Sequence, residues 1–273
     1  MTVGEAIRAA AEALAPVSDT ARLDAELLMA HLFGVTRSEL LLRHMRDPAP
    51  SGFATLVERR ERHEPVAYIT GRQEFYGLPF IVTPATLIPR GDSETLVEAA
   101  LAARPDAARV LDLGTGSGAL LLAVLAHRRG AQGIGIDRSA DAVRVALRNA
   151  EQLGLRPQAT FLEGDWHAPG WADDLSTFDL ILCNPPYVES TAALDPQVAD
   201  FEPATALFAG PEGLDDYCAL IPQLRALMAP EGLAILEIGA NQAEAVGALA
   251  AASGFATELR RDLAGRPRAL LLS

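Results

Sequence analysis

Apolar residues in the first 64 positions recur at helical spacing. Met1 to Leu14 is alanine-rich and amphipathic, with Glu5, Arg8 and Glu12 on its polar side. Ser18 or Asp19 can cap a second segment carrying Leu23, Leu27, Leu28 and Leu32, closed by Gly34. Thr36 to Met45 holds a further leucine-rich set, and Asp47-Pro-Ala-Pro-Ser51 breaks the chain. Gly52 to His63 reads as a charged helix with Phe53, Leu56 and Val57 on one side. These elements are too short for a large core, so residues 1–64 predict a small helical bundle. From Glu64 to Pro89 aromatic and β-branched residues alternate with Gly71, Gly77, Pro79 and Pro84, which predicts a connecting hairpin over residues 65–90. Residues 91–273 then alternate strand and helix. The strand candidates are Arg109–Leu113, Gly133–Ile136, Ala159–Leu162, Phe178–Cys183 and Leu233–Ile238, with helices over Gly118–Arg128 and Ser139–Leu153. Short apolar strands joined by helical crossovers predict a parallel α/β sheet covered on both faces. Phe255–Leu259 and Arg268–Leu272 add final strands, read as an antiparallel pair.

Composition narrows this picture modestly. Hydrophobic residues make up 49% of 273, enough for a sizeable core, and no apolar run approaches the ~18 residues of a membrane span. The first residues lack the basic start and cleavage site of a signal peptide, so a cytoplasmic location is expected and no membrane partner. The net charge of −13 argues against salt-driven binding along a nucleic acid backbone. All 23 basic residues are arginine, a compositional bias rather than a mechanism. Cys183 ends an apolar run and reads as a buried thiol; neither the two cysteines nor the five histidines have metal spacing, and no metal is expected.

Chemistry enters at Val110-Leu-Asp-Leu-Gly114-Thr-Gly116-Ser-Gly118, which leaves a strand and opens a helix. Glycines there let the backbone approach a ligand at the carboxyl edge of the sheet. The spacing is G-x-G-x-G rather than the G-x-G-x-x-G of dinucleotide enzymes. Asp112 opposes a pyrophosphate and favours a sulfonium or an ammonium. Asp137, ending the second strand, can accept both hydroxyls of a ribose, or cap the helix from Ser139. Loop and acid together favour an adenosyl ligand. After the third strand, Asp165 can accept from an adenine amino group and Trp166 can pack on the ring; a capped loop with a packed tryptophan is the plainer alternative.

Asn184-Pro185-Pro186-Tyr187 follows the fourth strand and reaches the same sheet edge. Two prolines fix the backbone and remove two donors, so the Pro185 carbonyl is a rigidly aimed acceptor. The Asn184 side-chain oxygen offers a second. Two acceptors can hold both hydrogens of a planar NH2 group and favour its pyramidalisation as a bond forms. Tyr187 can supply an aromatic face to a planar substrate. With a methyl donor in the glycine loop, what remains is alignment for in-line displacement. This makes Asn184, Pro185 and Tyr187 the candidate catalytic residues. It does not choose between a nucleobase amine and a glutamine amide.

These motifs resemble the HemK-type family, the glutamine methyltransferases of peptide chain release factors, over nearly the whole chain. The resemblance is strongest in Glu64–Gly71, Phe75-Tyr-Gly77, Thr83–Arg90, Asp112–Gly118, Gly164-Asp-Trp166, Asn184–Tyr187 and Phe201-Glu-Pro203. Asn-Pro-Pro-Tyr alone also looks like DNA adenine and ribosomal RNA guanine methyltransferases; Ile88-Pro-Arg90 points to the release factor branch. The resemblance implies a seven-stranded, Rossmann-like class I methyltransferase domain behind the helical bundle and hairpin. It implies S-adenosylmethionine as methyl donor, S-adenosylhomocysteine as product, and class 1 release factors as partners; a monomer is expected. By position, Gly114–Gly118 (with Thr115, Gly116 and Ser117), Asp137 and Trp166 would bind the donor, and Asn184, Pro185, Pro186 and Tyr187 would hold the glutamine of a Gly-Gly-Gln motif; Asp112, Asp165 and Asn184 complete the candidate donor contacts. A module that binds the donor without turnover is the reading from another class. One departure is visible: the family's Arg-Pro-Asp-Thr-Glu reads Arg90-Gly-Asp-Ser-Glu94 here; Arg90 and Glu94 either shape a peptide-binding mouth or pair with each other at helix spacing, and Glu202 is either a substrate-loop residue or a plain surface acid.

Overall fold

The computed structural model describes residues 1–273, which form two compact units. Residues 1–72 and 194–201 make up the first, and residues 73–193 and 202–273 the second. No helix is long and apolar enough to cross a membrane.

The first unit starts with α1 (Val3–Leu14), whose Thr2 and Glu5 form a reciprocal capping box. Its buried residues, Val3, Ala6, Ile7, Ala10 and Leu14, follow one helical stripe. They pack with Leu28 and Met29 of α2 (Ala21–Phe33), with Leu40, and with Phe53 and Val57 of α4 (Phe53–Glu61). Between them α3 (Arg37–Glu39) runs into a wider, π-type turn at Leu40–His44. Gly34 closes α2 in the left-handed conformation at φ 66°, as its place in the sequence predicts. The start of α2 differs from expectation. Thr20 is the capping position, and the hydroxyls of Ser18 and Thr20 donate instead to Asp24. That carboxylate also pairs with Arg60 at 2.7 Å in the interior, so the local polar groups serve a buried ion pair. A second difference lies at Val66–Thr70, where a hairpin is expected. It is a helix, α5, whose Ile69 joins the core of this unit. The segment Leu194–Phe201, with α9 (Pro196–Ala199), also belongs to this unit.

The hairpin itself is shorter than predicted, β1 (Arg72–Phe75) and β2 (Leu78–Ile81). Tyr76 and Gly77 both have positive φ, the twist a two-residue hairpin turn needs. After a short 3-10 turn at Gly91–Ser93 and α6 (Glu94–Ala103), the sheet is built from β3 (Arg109–Leu113), α7 (Ala119–Ala126), β4 (Gln132–Asp137), α8 (Ala140–Gln152), β5 (Ala159–Glu163) and β6 (Phe178–Cys183). It continues through α10 (Asp215–Leu227), β7 (Met228–Glu237), α11 (Ala243–Ala252), β8 (Thr257–Arg261) and β9 (Pro267–Leu272). The seven strands lie in the order β5-β4-β3-β6-β7-β9-β8. β3 to β7 run parallel, and β9 pairs antiparallel with β7 and β8. Alternate residues separate the two cores. Val110, Leu180 and Ile235 face α6 and α7, while Leu111, Ile181 and Ala234 face α10 and α11. A Cβ at Gly133 would lie 2.5 Å from Leu121, so a bare backbone lets α7 seat directly on β4. β3 is the first strand of the sheet, and the order reverses between it and β6, which opens a crevice at their carboxyl ends.

Candidate active site

The glycine loop occupies that crevice. Gly114, Gly116 and Gly118 have φ of 69°, 54° and 81°, values that side-chain-bearing residues rarely adopt. The loop is moored to β4, because Thr115 N donates to the Ile136 carbonyl and Gly116 N to Asp137 Oδ2 at 2.8 Å. Asp137 Oδ1 accepts from Ser139 N at 2.9 Å. The helix cap is Ser139, whose hydroxyl accepts from Ala142 N, so Asp137 does not cap α8 itself; it holds the residue that does and lines the cavity. Burial raises the pKa of Asp137. Beneath the loop, Asn149 of α8 is fully buried and holds three backbone groups. Its Nδ2 donates to the carbonyls of Ser117 and Ile81, and its Oδ1 accepts from Ile81 N at 2.7 Å. This side chain ties the glycine loop to the hairpin.

Asp112 is buried at 1% exposure under the same loop. Thr115 Oγ1 donates to its Oδ2 at 2.6 Å, and Oδ1 has no partner. Burial pushes its carboxyl up to about 7.

Asn184 leaves β6 with its carbonyl oxygen 3.7 Å from where a Cβ at Gly114 would stand. Asn184 and Pro186 line the cavity. Tyr187 turns away from it. The phenol donates to Glu237 Oε1 at 3.3 Å, and the Tyr187 carbonyl accepts from Gln242 Nε2 at 3.0 Å. Burial raises the pKa of the Tyr187 hydroxyl. Glu237 is itself buried, at the end of β7, with Arg268 at 3.8 Å. Arg268 in turn holds Asp92 at 2.9 Å, in the turn after Arg90. Arg90 pairs with Glu202 rather than with Glu94. Glu202 is 5% exposed and also accepts from Ile88 N, while Glu94 accepts from Tyr76 N. The expectation of an Arg90–Glu94 pair is thus corrected: Arg90 sits before the helix, outside its i,i+4 register.

One cavity of about 1150 Å³, counting its open mouth, collects these groups. Of the residues singled out in the sequence, Gly114, Thr115, Gly116, Ser117, Asp137, Trp166, Asn184 and Pro186 line it. Asp112, Gly118, Asp165, Pro185 and Tyr187 do not. Asp112 and Gly118 are packed below the loop, and a Cβ at Gly118 would sit 3.1 Å from Leu122. Asp165 caps its own turn through His167 N. Trp166 Nε1 donates to Asp216 Oδ1 at 3.0 Å, and its ring edge closes on Gly114. Glu202 belongs to the Phe201-Glu-Pro203 motif already singled out, whereas Asp216 and Glu237 went unmarked in the sequence. Asp216 reads there as an ordinary acid at a helix start, and Glu237 as the end of an apolar strand.

Comparison with known proteins falls on the same two regions. The PrmC N-terminal domain matches residues 5–71, and a methyltransferase domain matches residues 105–250. A Rhodospirillum rubrum protein named release factor glutamine methyltransferase is 46% identical over 257 residues, spanning 92% of this chain and 78% of that protein. A Caulobacter vibrioides protein of the same name is 42% identical, spanning 93% and 89%. The chain belongs to the release factor glutamine methyltransferase family. An Escherichia coli K12 protein of that name is 40% identical across 84% of this chain and 83% of its own length. Among solved structures, the hMettl16 catalytic domain superposes with a TM-score of 0.58 at 16% identity, covering 76% of this chain and 80% of that one. A ribosomal protein L11 methylase from Lactobacillus delbrueckii subsp. bulgaricus does so at 0.50 and 23% identity, covering 70% and 83%. These two likenesses concern the fold alone, a seven-stranded class I methyltransferase sheet.

Proposed function

We propose that the protein transfers a methyl group from S-adenosylmethionine to the side-chain amide nitrogen of the glutamine in the Gly-Gly-Gln motif of class 1 release factors. In this reading it works as a monomer in the cytoplasm and without contacting nucleic acid, in keeping with the charge of −13. The observation that carries the reading is a single cavity lined by the glycine loop, Asp137, Asn184 and Pro186 in a chain of this family.

The residues present fit the donor. A Cβ at Gly116 would meet only the Gly114 carbonyl, at 4.0 Å, and Gly116 lines the cavity. Bound there, the donor supplies a methyl on a sulfonium, already a strong electrophile. Gly114 to Ser117 line its bed, with Gly118 shaping the loop from below. Asp137 keeps lone pairs for a ribose beyond its two backbone partners. Trp166 packs beside the adenosine, and Asp112 lends negative potential from beneath. Asp165 acts through the turn it caps.

At the acceptor end, Asn184 Oδ1 and the Pro185 carbonyl accept the two amide hydrogens of the glutamine. They aim the nitrogen at the methyl and favour its pyramidal form. Pro186 fixes the turn. Tyr187, anchored on Glu237 and Gln242, holds that turn in place. Alignment supplies most of the effect, since well-oriented reactants gain on the order of 7–11 kcal/mol. No strong base is needed, because the methylated nitrogen is acidic and its proton can pass to water.

Tritium transfer from labelled donor to purified class 1 release factors tests this reading against DNA and ribosomal RNA as acceptors. Label is expected in the release factor alone. Label in nucleic acid with none in the release factor would overturn it.

A further inference from the structure

Asp216 has no role in the reading above, yet it lines the cavity. It stands in the first turn of α10 and is 7% exposed. Its Oδ1 receives Trp166 Nε1 at 3.0 Å and lies 3.0 Å from His167 Nε2. Oδ2 has no such partner. No arginine pairs with this carboxylate, and His167 is 43% exposed and charged only when protonated. A nearly buried carboxylate without a fixed counter-ion is costly, and the cost is relieved when a cation arrives.

The carboxylates of the cavity divide by position. Asp137 and Asp141 stand together at the end of β4 and the start of α8. Asp216 comes from α10, joined to the glycine loop by Trp166, whose indole runs from the Asp216 bond to the edge of Gly114. If Asp137 takes the ribose and Asn184 faces the methyl, the amino acid tail leaves the sulfur over Gly114. It carries the one ammonium of the ligand. The adenine amine is neutral and needs only a neutral acceptor.

We propose that Asp216 binds the α-ammonium of the methionine moiety of S-adenosylmethionine, through Oδ2, while Oδ1 keeps Trp166 against the glycine loop. This rests on the donor assignment above. The pair makes a charge-assisted hydrogen bond at a carboxylate that is itself largely buried. The contact persists in S-adenosylhomocysteine, which keeps the ammonium, and is impossible in 5′-methylthioadenosine, which lacks the whole tail.

The test is equilibrium titration of the full chain and its Asp216→Asn variant with all three compounds. Asparagine keeps an acceptor for Trp166 and removes the charge, and binding of 5′-methylthioadenosine reports whether the adenosine end is intact. Affinity for S-adenosylmethionine and S-adenosylhomocysteine is expected to fall about 10- to 100-fold, with 5′-methylthioadenosine within about twofold of wild type. Equal losses for all three would overturn the proposal, leaving Asp216 as a support of the adenosine end. Loss for S-adenosylmethionine alone would overturn it in favour of the sulfonium, and no loss would overturn it outright. Failure of the wild type to bind any of the three would remove the donor assignment itself, a result distinguishable from all of these.

Discussion

At the scale of single residues, the reacting groups and the groups that hold them are different side chains. Asn184 lines the cavity, and as one of the two proposed acceptors of the glutamine amide its replacement in Asn184→Ala removes one of two amide contacts and little else. Methyl transfer is expected to fall about 100-fold or more, while donor affinity stays within a few-fold. Comparable loss of donor binding, measured by titration, would show that its carboxamide serves the donor. Asp112 behaves differently. Its carboxyl is raised from 3.8 to about 7 by burial, so the unfolded chain gives up this proton at lower pH than the folded one. As pH rises through that window the unfolded state binds fewer protons, and stability falls. Three units correspond to roughly 4 kcal/mol. Asp112→Asn, which keeps an acceptor for Thr115, is expected to raise the melting temperature of the donor-free protein at about pH 8 relative to wild type, and by much less at about pH 4. An equal offset at both would contradict the burial argument. The sequence disclosed the glycines and Asn184 because the backbone geometry or the chemistry demands those residue types. It did not disclose that Tyr187 faces inward, because the partner that turns it, Glu237, lies 50 residues away on another strand.

At the scale of elements, strands were legible where burial on both faces leaves a continuous apolar run. Arg109–Leu113 and Phe178–Cys183 match their predicted ends. β7 begins earlier than its apolar run, at Met228. The Ala229-Pro-Glu-Gly232 stretch, ahead of the predicted strand, folds as an irregularity within it, with Glu231 at φ 61°. α5 was missed because five residues are too few to show a helical period. The Gly91 departure from the family pattern can be weighed at this scale. Gly91 opens the 3-10 turn, its φ is not positive, nothing lies within 4 Å of a Cβ there, and Arg90 before it is extended at ψ 142°. Proline suits that position. Gly91→Pro is expected to stabilise the protein by about 0.4–1 kcal/mol in urea unfolding, with activity retained. Destabilisation would mean that the turn uses a backbone freedom only glycine has.

At the scale of the whole molecule, the glycine loop and the Asn-Pro-Pro-Tyr turn meet because β3 and β6 are adjacent strands whose helices leave on opposite faces. The alternation of strand and helix after residue 91 was enough to foresee this. The long-range ion pairs of Arg90 with Glu202 and of Arg268 with Asp92 were not, since each joins segments more than a hundred residues apart. The acceptor is the step that composition and fold leave open, because the same turn serves planar amines of different kinds. Tandem mass spectrometry of a class 1 release factor, after incubation with the protein and S-adenosylmethionine, addresses it directly. The account predicts one added methyl, on the side-chain amide nitrogen of the glutamine in the Gly-Gly-Gln motif, absent when Asn184→Ala replaces the wild type. A methyl on any other residue, or an unmodified release factor in the presence of a protein that binds the donor, would contradict it.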